Sequence, residues 1–201
     1  MARAAAALVA GALVWAFLGG CDRASEPWSL AGETMGTRYS VKITDPPAGW
    51  KLGELKTQID GLLEALNASM STYRPDSELS RFNSNPDTAW FAVSDALARV
   101  VAESLRISDL SGGALDVTVG PLVKLWGFGP DMRPARVPRE HELQEALGSV
   151  GREHLEVRLK PPALRKAKPG LYVDLSAIAK GYAVDAIAEL LESAGAESYL
   201  V

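Results

Sequence analysis

Apolar residues follow two rhythms along this chain, and the rhythms divide it into elements. Thr37, Tyr39, Val41 and Ile43 alternate with Arg38, Ser40 and Lys42, the two-residue period of a strand with one buried face. Asp45-Pro46-Pro47-Ala48-Gly49 breaks that period. Leu52, Leu55, Ile59, Leu62, Leu63, Leu66 and Met70 then recur at three and four residues, which predicts an amphipathic helix. Ser71 to Asn85 is polar and reads as a turn. From Ser94, an N-cap residue type, Leu97, Val100, Val101 and Leu105 repeat the helical spacing as far as Gly112. Leu115 to Val119 reads as a strand, a weaker helix follows Pro138 with Leu143, Ala146 and Leu147, and Leu155 to Leu159 reads as another strand. Pro161 to Gly170, basic and proline-bearing, reads as a surface loop. Leu171 to Leu175 is predicted as a strand and Ser176 to Gly181 as a turn. A helix with Val184, Ile187, Leu190 and Leu191 on one face then stops at Gly195. Glu197 to Val201 begins a further strand, and an ending without a polar tail reads as a sheet cut midway. Strands and helices mix without a regular βαβ rhythm, so the predicted fold class is α+β.

Composition narrows the class. The chain has 201 residues, 47% hydrophobic and 23% charged, a globular balance with enough length for one good core. Its net charge of −4 offers no basic face for phosphates, which argues against nucleic acid as a partner. A single cysteine, Cys21, rules out an internal disulfide. Arg3 is followed by an apolar stretch from Ala4 to Leu18, and Leu18-Gly19-Gly20-Cys21 closes it. A charged start, an apolar run and small residues describe an export signal. A cysteine directly after them reads as a lipobox whose Cys21 is acylated, although an uncleaved membrane helix fits the apolar length as well. The expected organisation is a lipoprotein signal over 1–20, a tether over 21–31 and a folded part over 32–201. Asp22 resembles the signal that keeps bacterial lipoproteins in the inner membrane, which implies a lipid-anchored protein facing the periplasm.

The densest chemistry lies between Gly112 and Pro130. Asp116 stands among apolar neighbours, Pro121 and Pro130 fix φ, and Trp126 and Phe128 sit between glycines. This combination suits a wall for a flat ligand. Asp116 is either a solvent-facing carboxylate or one kept for a ligand, since strands are poor in Asp. Asp174, at the end of a strand and before a helix, could hold a cation or a ribose hydroxyl, or could cap the helix. Lys180, six residues on, could face phosphates or solvent. Tyr73 lies in a turn too polar to be core and could stack on a ring, and the thioether of Met35 would suit the same ring. His141 and His154 are isolated, so zinc is improbable. No nucleophile elbow, Walker loop or dinucleotide glycine fingerprint is present.

Four segments together resemble one family. They are Glu33-Thr34-Met35-Gly36-Thr37, Met70-Ser71-Thr72-Tyr73 through Phe82-Asn83, Gly113 to Pro130, and Val173-Asp174-Leu175-Ser176-Ala177-Ile178-Ala179-Lys180-Gly181-Tyr182-Ala183-Val184-Asp185. Their order is similar to that of the ApbE family of FAD:protein FMN transferases. The resemblance implies an ApbE-type, T-fold-like α+β fold, of which this chain would hold the N-terminal portion. It also implies Mg²⁺-dependent transfer of FMN from FAD to a threonine or serine hydroxyl of a partner protein, with release of AMP. The expected acceptor belongs to a membrane electron-transfer complex. By motif match the FAD contacts fall on Met35, Tyr73, Ala114, Leu115, Asp116, Asp174 and Lys180, the last where some members carry an acidic residue. A metal ligand falls on Ala177, through its backbone carbonyl. The family's remaining metal ligands and a histidine near the reacting phosphate lie C-terminal to the portion matched, so no catalytic residue is assigned here and this portion alone is expected to be inactive. The alternatives are FAD hydrolysis, a non-catalytic flavin carrier and a tethered structural domain.

Overall fold

The computed structural model describes residues 26–130 and 136–201. The lipobox with Cys21 and the rest of the signal therefore lie outside the described residues.

Strands β1 (Trp28–Thr34) and β2 (Thr37–Ile43) form an antiparallel hairpin with Trp28 opposite Ile43 and Thr34 opposite Thr37. The alternation predicted for the second strand is present: Val41 and Ile43 are fully buried while Arg38, Ser40 and Lys42 face out. The first strand begins at Trp28, inside the stretch read as tether. Its buried residue is Leu30, and its Trp28 ring packs 6.4 Å from that of Trp50. Only the partner strand makes that segment regular, because its own sequence carries one short apolar beat.

Helices α1 (Leu52–Met70), α2 (Glu78–Ser84) and α3 (Asp95–Leu110) follow, with β3 (Phe91–Ala92) between the last two. Leu55, Ile59, Leu63, Leu66 and Met70 form the buried stripe of α1. The Ser94 hydroxyl accepts from Leu97 N–H at 3.3 Å, as the N-cap reading requires. The Ser71–Asn85 stretch is not all turn, since it contains α2. Ser77 caps that helix by accepting from Ser80 N–H, and Leu79 and Phe82 anchor it in the core. Seven residues, about two helical turns, are too few for a periodic signal to emerge from polar neighbours.

The predicted Leu115–Val119 strand is absent: residues 114–119 turn without entering a sheet, and helix α4 (Gly120–Leu125) follows directly. The cause is Asp116, whose side chain bonds its own backbone two residues on and competes with a strand ladder. Helix α5 (Glu140–Leu147) and a 3₁₀ turn (Arg152–His154) lead to β4 (Leu155–Leu159) and β5 (Pro162–Lys166). The stretch read as a surface loop thus contains a strand, and its Lys166 is 1% exposed. Residues 171–175 are extended with Leu171, Val173 and Leu175 buried, yet they join neither sheet. Helix α6 (Ala179–Ser193) and β6 (Tyr199–Leu200) close the chain.

The sheets have the orders β1-β2-β6 and β3-β5-β4, and every pairing is antiparallel. Helix α1 packs on β1 and on α2, α3 and α6, while α3 packs on β4 and β5. One apolar cluster, including Ile43, Ile59, Phe82, Leu97, Leu164, Val173 and Ile187, joins these layers. This is the α+β architecture that the irregular order of elements predicts. No helix among the described residues is long and apolar enough to cross a membrane.

Candidate functional site

Two adjoining cavities open where the hairpin tip, the end of α1, the 114–119 turn and the start of α6 converge. The larger, about 670 Å³, is lined by Met35 and Gly36, Asn67 and Met70, Ser71 to Arg74, Leu175 and Ser176, and Ala179 and Lys180. The smaller, about 370 Å³, is lined by Tyr73, Ala114 to Val117, Val119, Val123, Phe128 and Gly129, Asp174, Ser176 and Ala177. Tyr73 and Ser176 belong to both. Each volume is in the range of about 300–1,000 Å³ usual for small-molecule sites. Met35, Tyr73 and Lys180 thus meet in the larger cavity, and Tyr73, Ala114, Leu115, Asp116, Asp174 and Ala177 meet in the smaller. Only tertiary structure joins them, because they come from segments far apart in sequence.

Each wall is positioned locally. Met35 and Gly36 are the two-residue loop of the β1–β2 hairpin, with φ of 49° and 68°. Positive φ at both positions is the type I′ pattern that matches strand twist. Gly36 accepts it freely, but Met35 is a non-glycine residue held in the left-handed region, a strained state that concentrates at functional sites. Asn67 steadies the tip by donating to Thr34 Oγ1 at 3.0 Å. Tyr73 follows the end of α1 in a turn where its N–H donates to Ser71 Oγ at 3.2 Å. Tyr73 is 63% exposed and so open to a flat ligand. Beside it Arg74 is engaged by Glu64 at 2.5 Å and lies 3.6 Å from Asp76.

The two aspartates are held unequally. Asp116 Oδ1 accepts from Thr118 N–H at 2.8 Å and from Thr118 Oγ1 at 2.7 Å, and its Oδ2 accepts from Arg152 N–H at 3.3 Å. Thr118 is fully buried and also accepts from Gly151 N–H at 2.8 Å. Asp116 therefore ties the turn to the 3₁₀ segment. Asp174 Oδ1 accepts from Ser176 N–H at 2.8 Å and Ser176 Oγ at 2.5 Å. No hydrogen bond to its Oδ2 occurs among the described residues, which leaves that oxygen for a ligand. Asp174 N–H donates to Val117 O at 2.8 Å and joins the two aspartate segments. Gly120 lets α4 sit against the 171–175 segment, because a Cβ there would lie 2.2 Å from Tyr172 Cδ1. Lys124 Nζ covers the other part of that ring, 3.9 Å from its centroid.

Chemically, the smaller cavity combines carboxylates with exposed apolar and aromatic surface, including Phe128 at 66% exposure. Carboxylates accept from ribose hydroxyls or amines and meet a diphosphate only across a cation. For such a cation this chain offers oxygen donors of the hard type, the Ala177 carbonyl beside Asp174, which suits Mg²⁺ in kind but not in number. Among the described residues no group of three or more His, Cys, Asp or Glu side chains is placed to hold a metal.

Sequence reading did not single out Asn67, Asn83, Thr118 or Lys166 for roles at this site. Asn67 has a weak signal, a poor helix former kept in α1. The other three act through contacts spanning 33 to 90 residues, which no local pattern shows.

Antiparallel α+β layers surround an aromatic and acidic double cavity. The chain belongs to the ApbE family, whose model matches residues 35–201. It is 50% identical over 184 residues to the FAD:protein FMN transferase of Vibrio cholerae, covering 92% of this chain and 54% of that protein. It superimposes on the solved flavin transferase ApbE from Vibrio cholerae with a TM-score of 0.83 at 50% identity, over 87% of this chain and 56% of the other. The apo form of the Pseudomonas stutzeri flavinyl transferase ApbE gives a TM-score of 0.81 at 36% identity, over 87% and 54%. The chain spans about half the length of the curated relatives it matches.

Proposed function

We propose that the protein carrying this chain is an FAD:protein FMN transferase. A threonine or serine hydroxyl oxygen of an acceptor protein attacks the FMN phosphorus of FAD. The phosphorus–oxygen bond to the adenylate breaks, AMP leaves with the bridging oxygen, and the hydroxyl proton passes to solvent. The observation that carries this reading is the convergence of the four family-like segments on two adjoining cavities. In it, Met35 and Tyr73 hold the isoalloxazine ring by apolar and stacking contact. Ala114, Leu115 and Asp116 form the opposite wall, and the free oxygen of Asp174 accepts from the ligand. Lys180 is exposed at the edge of the larger cavity, where a cation favours the diphosphate. The Ala177 carbonyl would hold part of the coordination of a Mg²⁺ ion, which would supply neutralisation of charge at phosphorus. The protein is anchored through Cys21 to the bacterial inner membrane, faces the periplasm and modifies a subunit of a membrane electron-transfer complex.

The test is a reaction of the full-length protein with FAD, Mg²⁺ and a candidate acceptor domain, read by covalent flavin fluorescence and AMP release. Tyr73→Ala and Asp174→Ala should each slow transfer by about 10-fold or more, equivalent to about 1.4 kcal/mol of lost stabilisation. Free FMN without labelled acceptor would make the protein a hydrolase. FAD recovered intact would make it a carrier.

A further inference from the structure

Asn83 lies outside both cavities, yet it grips the segment that carries Asp174. Its Oδ1 accepts from Val173 N–H at 2.8 Å and its Nδ2 donates to Val173 O at 2.8 Å. One side-chain amide thus satisfies both backbone groups that a neighbouring strand would otherwise pair, which explains how residues 171–175 stay extended outside either sheet. The backbone that carries this amide is itself held. Lys166 Nζ, almost wholly buried, donates to Phe82 O at 2.9 Å and Asn83 O at 3.1 Å, and it sits 5.0 Å from the centroid of the Phe82 ring. Phe82 is 1% exposed and packs edge-on against Phe91 at 5.8 Å. A buried cation with no acidic partner among the described residues is a costly device to maintain for stability alone, since well-packed apolar residues of like volume often serve as well.

We infer that Asn83, locked by Lys166, is a positioning residue that sets the pose of Asp174 toward the ligand. Val173 is the residue before Asp174, and the next hydrogen bond along the segment is Asp174 N–H to Val117 O. The peptide that leads into Asp174 is therefore held at both its carbonyl and its N–H, while the Asp174 side chain has one oxygen on Ser176 and the other directed to no protein donor among the described residues. Loss of the amide releases Val173 and lets the carboxylate wander, which a ligand contact feels before the core does.

This inference rests on the reading in which Asp174 contacts FAD. The experiment is a double-mutant cycle on FAD affinity in the full-length protein, read by flavin fluorescence quenching. Asn83→Asp keeps the acceptor for Val173 N–H and removes the donor to Val173 O. It should weaken FAD binding by about 10-fold in the wild-type background and by less than about 2-fold alongside Asp174→Ala, the coupling expected of groups acting through one another. Alongside Met35→Ala the full effect of N83D should persist. If D174A weakens binding and N83D still adds its whole effect, the positioning role is overturned while the flavin reading stands. If D174A alone leaves affinity unchanged, the flavin reading of Asp174 fails and the inference with it. Asn83→Ala, which removes both bonds, repeats the cycle should N83D not fold, as judged by circular dichroism. Failure of both variants to fold would make Asn83 a general folding residue and would also overturn the proposal.

Discussion

Met35 shows how one residue can serve geometry and chemistry at once. The hairpin tip needs positive φ at both loop positions, and the residue pair best suited to that need is Asn-Gly. The chain has Met35-Gly36 instead, with φ of 49° at the methionine. Holding an ordinary L-residue there costs about 1–2 kcal/mol, and the residue lines the larger cavity. Met35→Asn should therefore raise stability by about 1 kcal/mol, or about 2–4 °C in melting temperature for a domain of this length, while weakening FAD binding. Thermal unfolding with and without FAD checks both signs. A variant that lost stability would remove strain at this turn as the explanation. Gly120 is the converse case, where the chain gives up a side chain so that Tyr172 can approach.

At the scale of elements, α2 and β5 are joined by a charge without an acidic partner. Burial pushes the Lys166 ammonium below its ordinary pKa, and no ion pair to it occurs among the described residues. The folded state therefore binds the Lys166 proton less tightly than the unfolded chain does. Between the lowered value and the ordinary one near 10.5, the unfolded chain holds more protons, so this residue's contribution to stability improves as pH rises through that window and worsens as pH falls. The stability of wild type relative to Lys166→Met should increase as pH is raised toward 10.5, as read by reversible denaturant unfolding. A difference independent of pH would mean that the ammonium is solvated in the folded state. Such an element was not legible as basic loop sequence, because Pro161 and the charges around it outweigh two buried residues, Ala163 and Leu164, that only the sheet reveals. The opposite error occurred at Leu115 to Val119, whose strand-like composition yields to the local bonds of Asp116.

For the whole molecule, the decisive property is where this site is held in the cell. The proposed anchor makes a separate claim from the fold. Cys21→Ala should abolish metabolic incorporation of palmitate and move the protein from the membrane to the soluble periplasmic fraction, since stable anchoring needs the acyl chains. Labelling that survived the substitution would exclude Cys21 as the acylated residue. The cavities themselves are a whole-molecule product. The hairpin tip, the Tyr73 turn and the aspartate segments each have their local shape, but their meeting depends on α1 packing simultaneously on β1, α2 and α6. Motif order pointed to Met35, Tyr73, Asp116 and Asp174 together, and the folded chain brings their segments to one place.

The amino-acid sequence by itself determined the long helices, the second strand, the α+β class and the segments that line the cavities. The helices, the strand and the class follow from apolar periodicity, capping side chains and glycine placement, all of which act within a few residues, whereas the cavity segments were marked together by their resemblance to a family. Tertiary structure alone decided that Trp28 starts a strand, that residues 171–175 remain outside both sheets, and that a lysine and an asparagine 83 residues apart secure the segment bearing Asp174. Those outcomes depend on backbone groups finding partners across the core, and such partners leave no periodic trace in the chain.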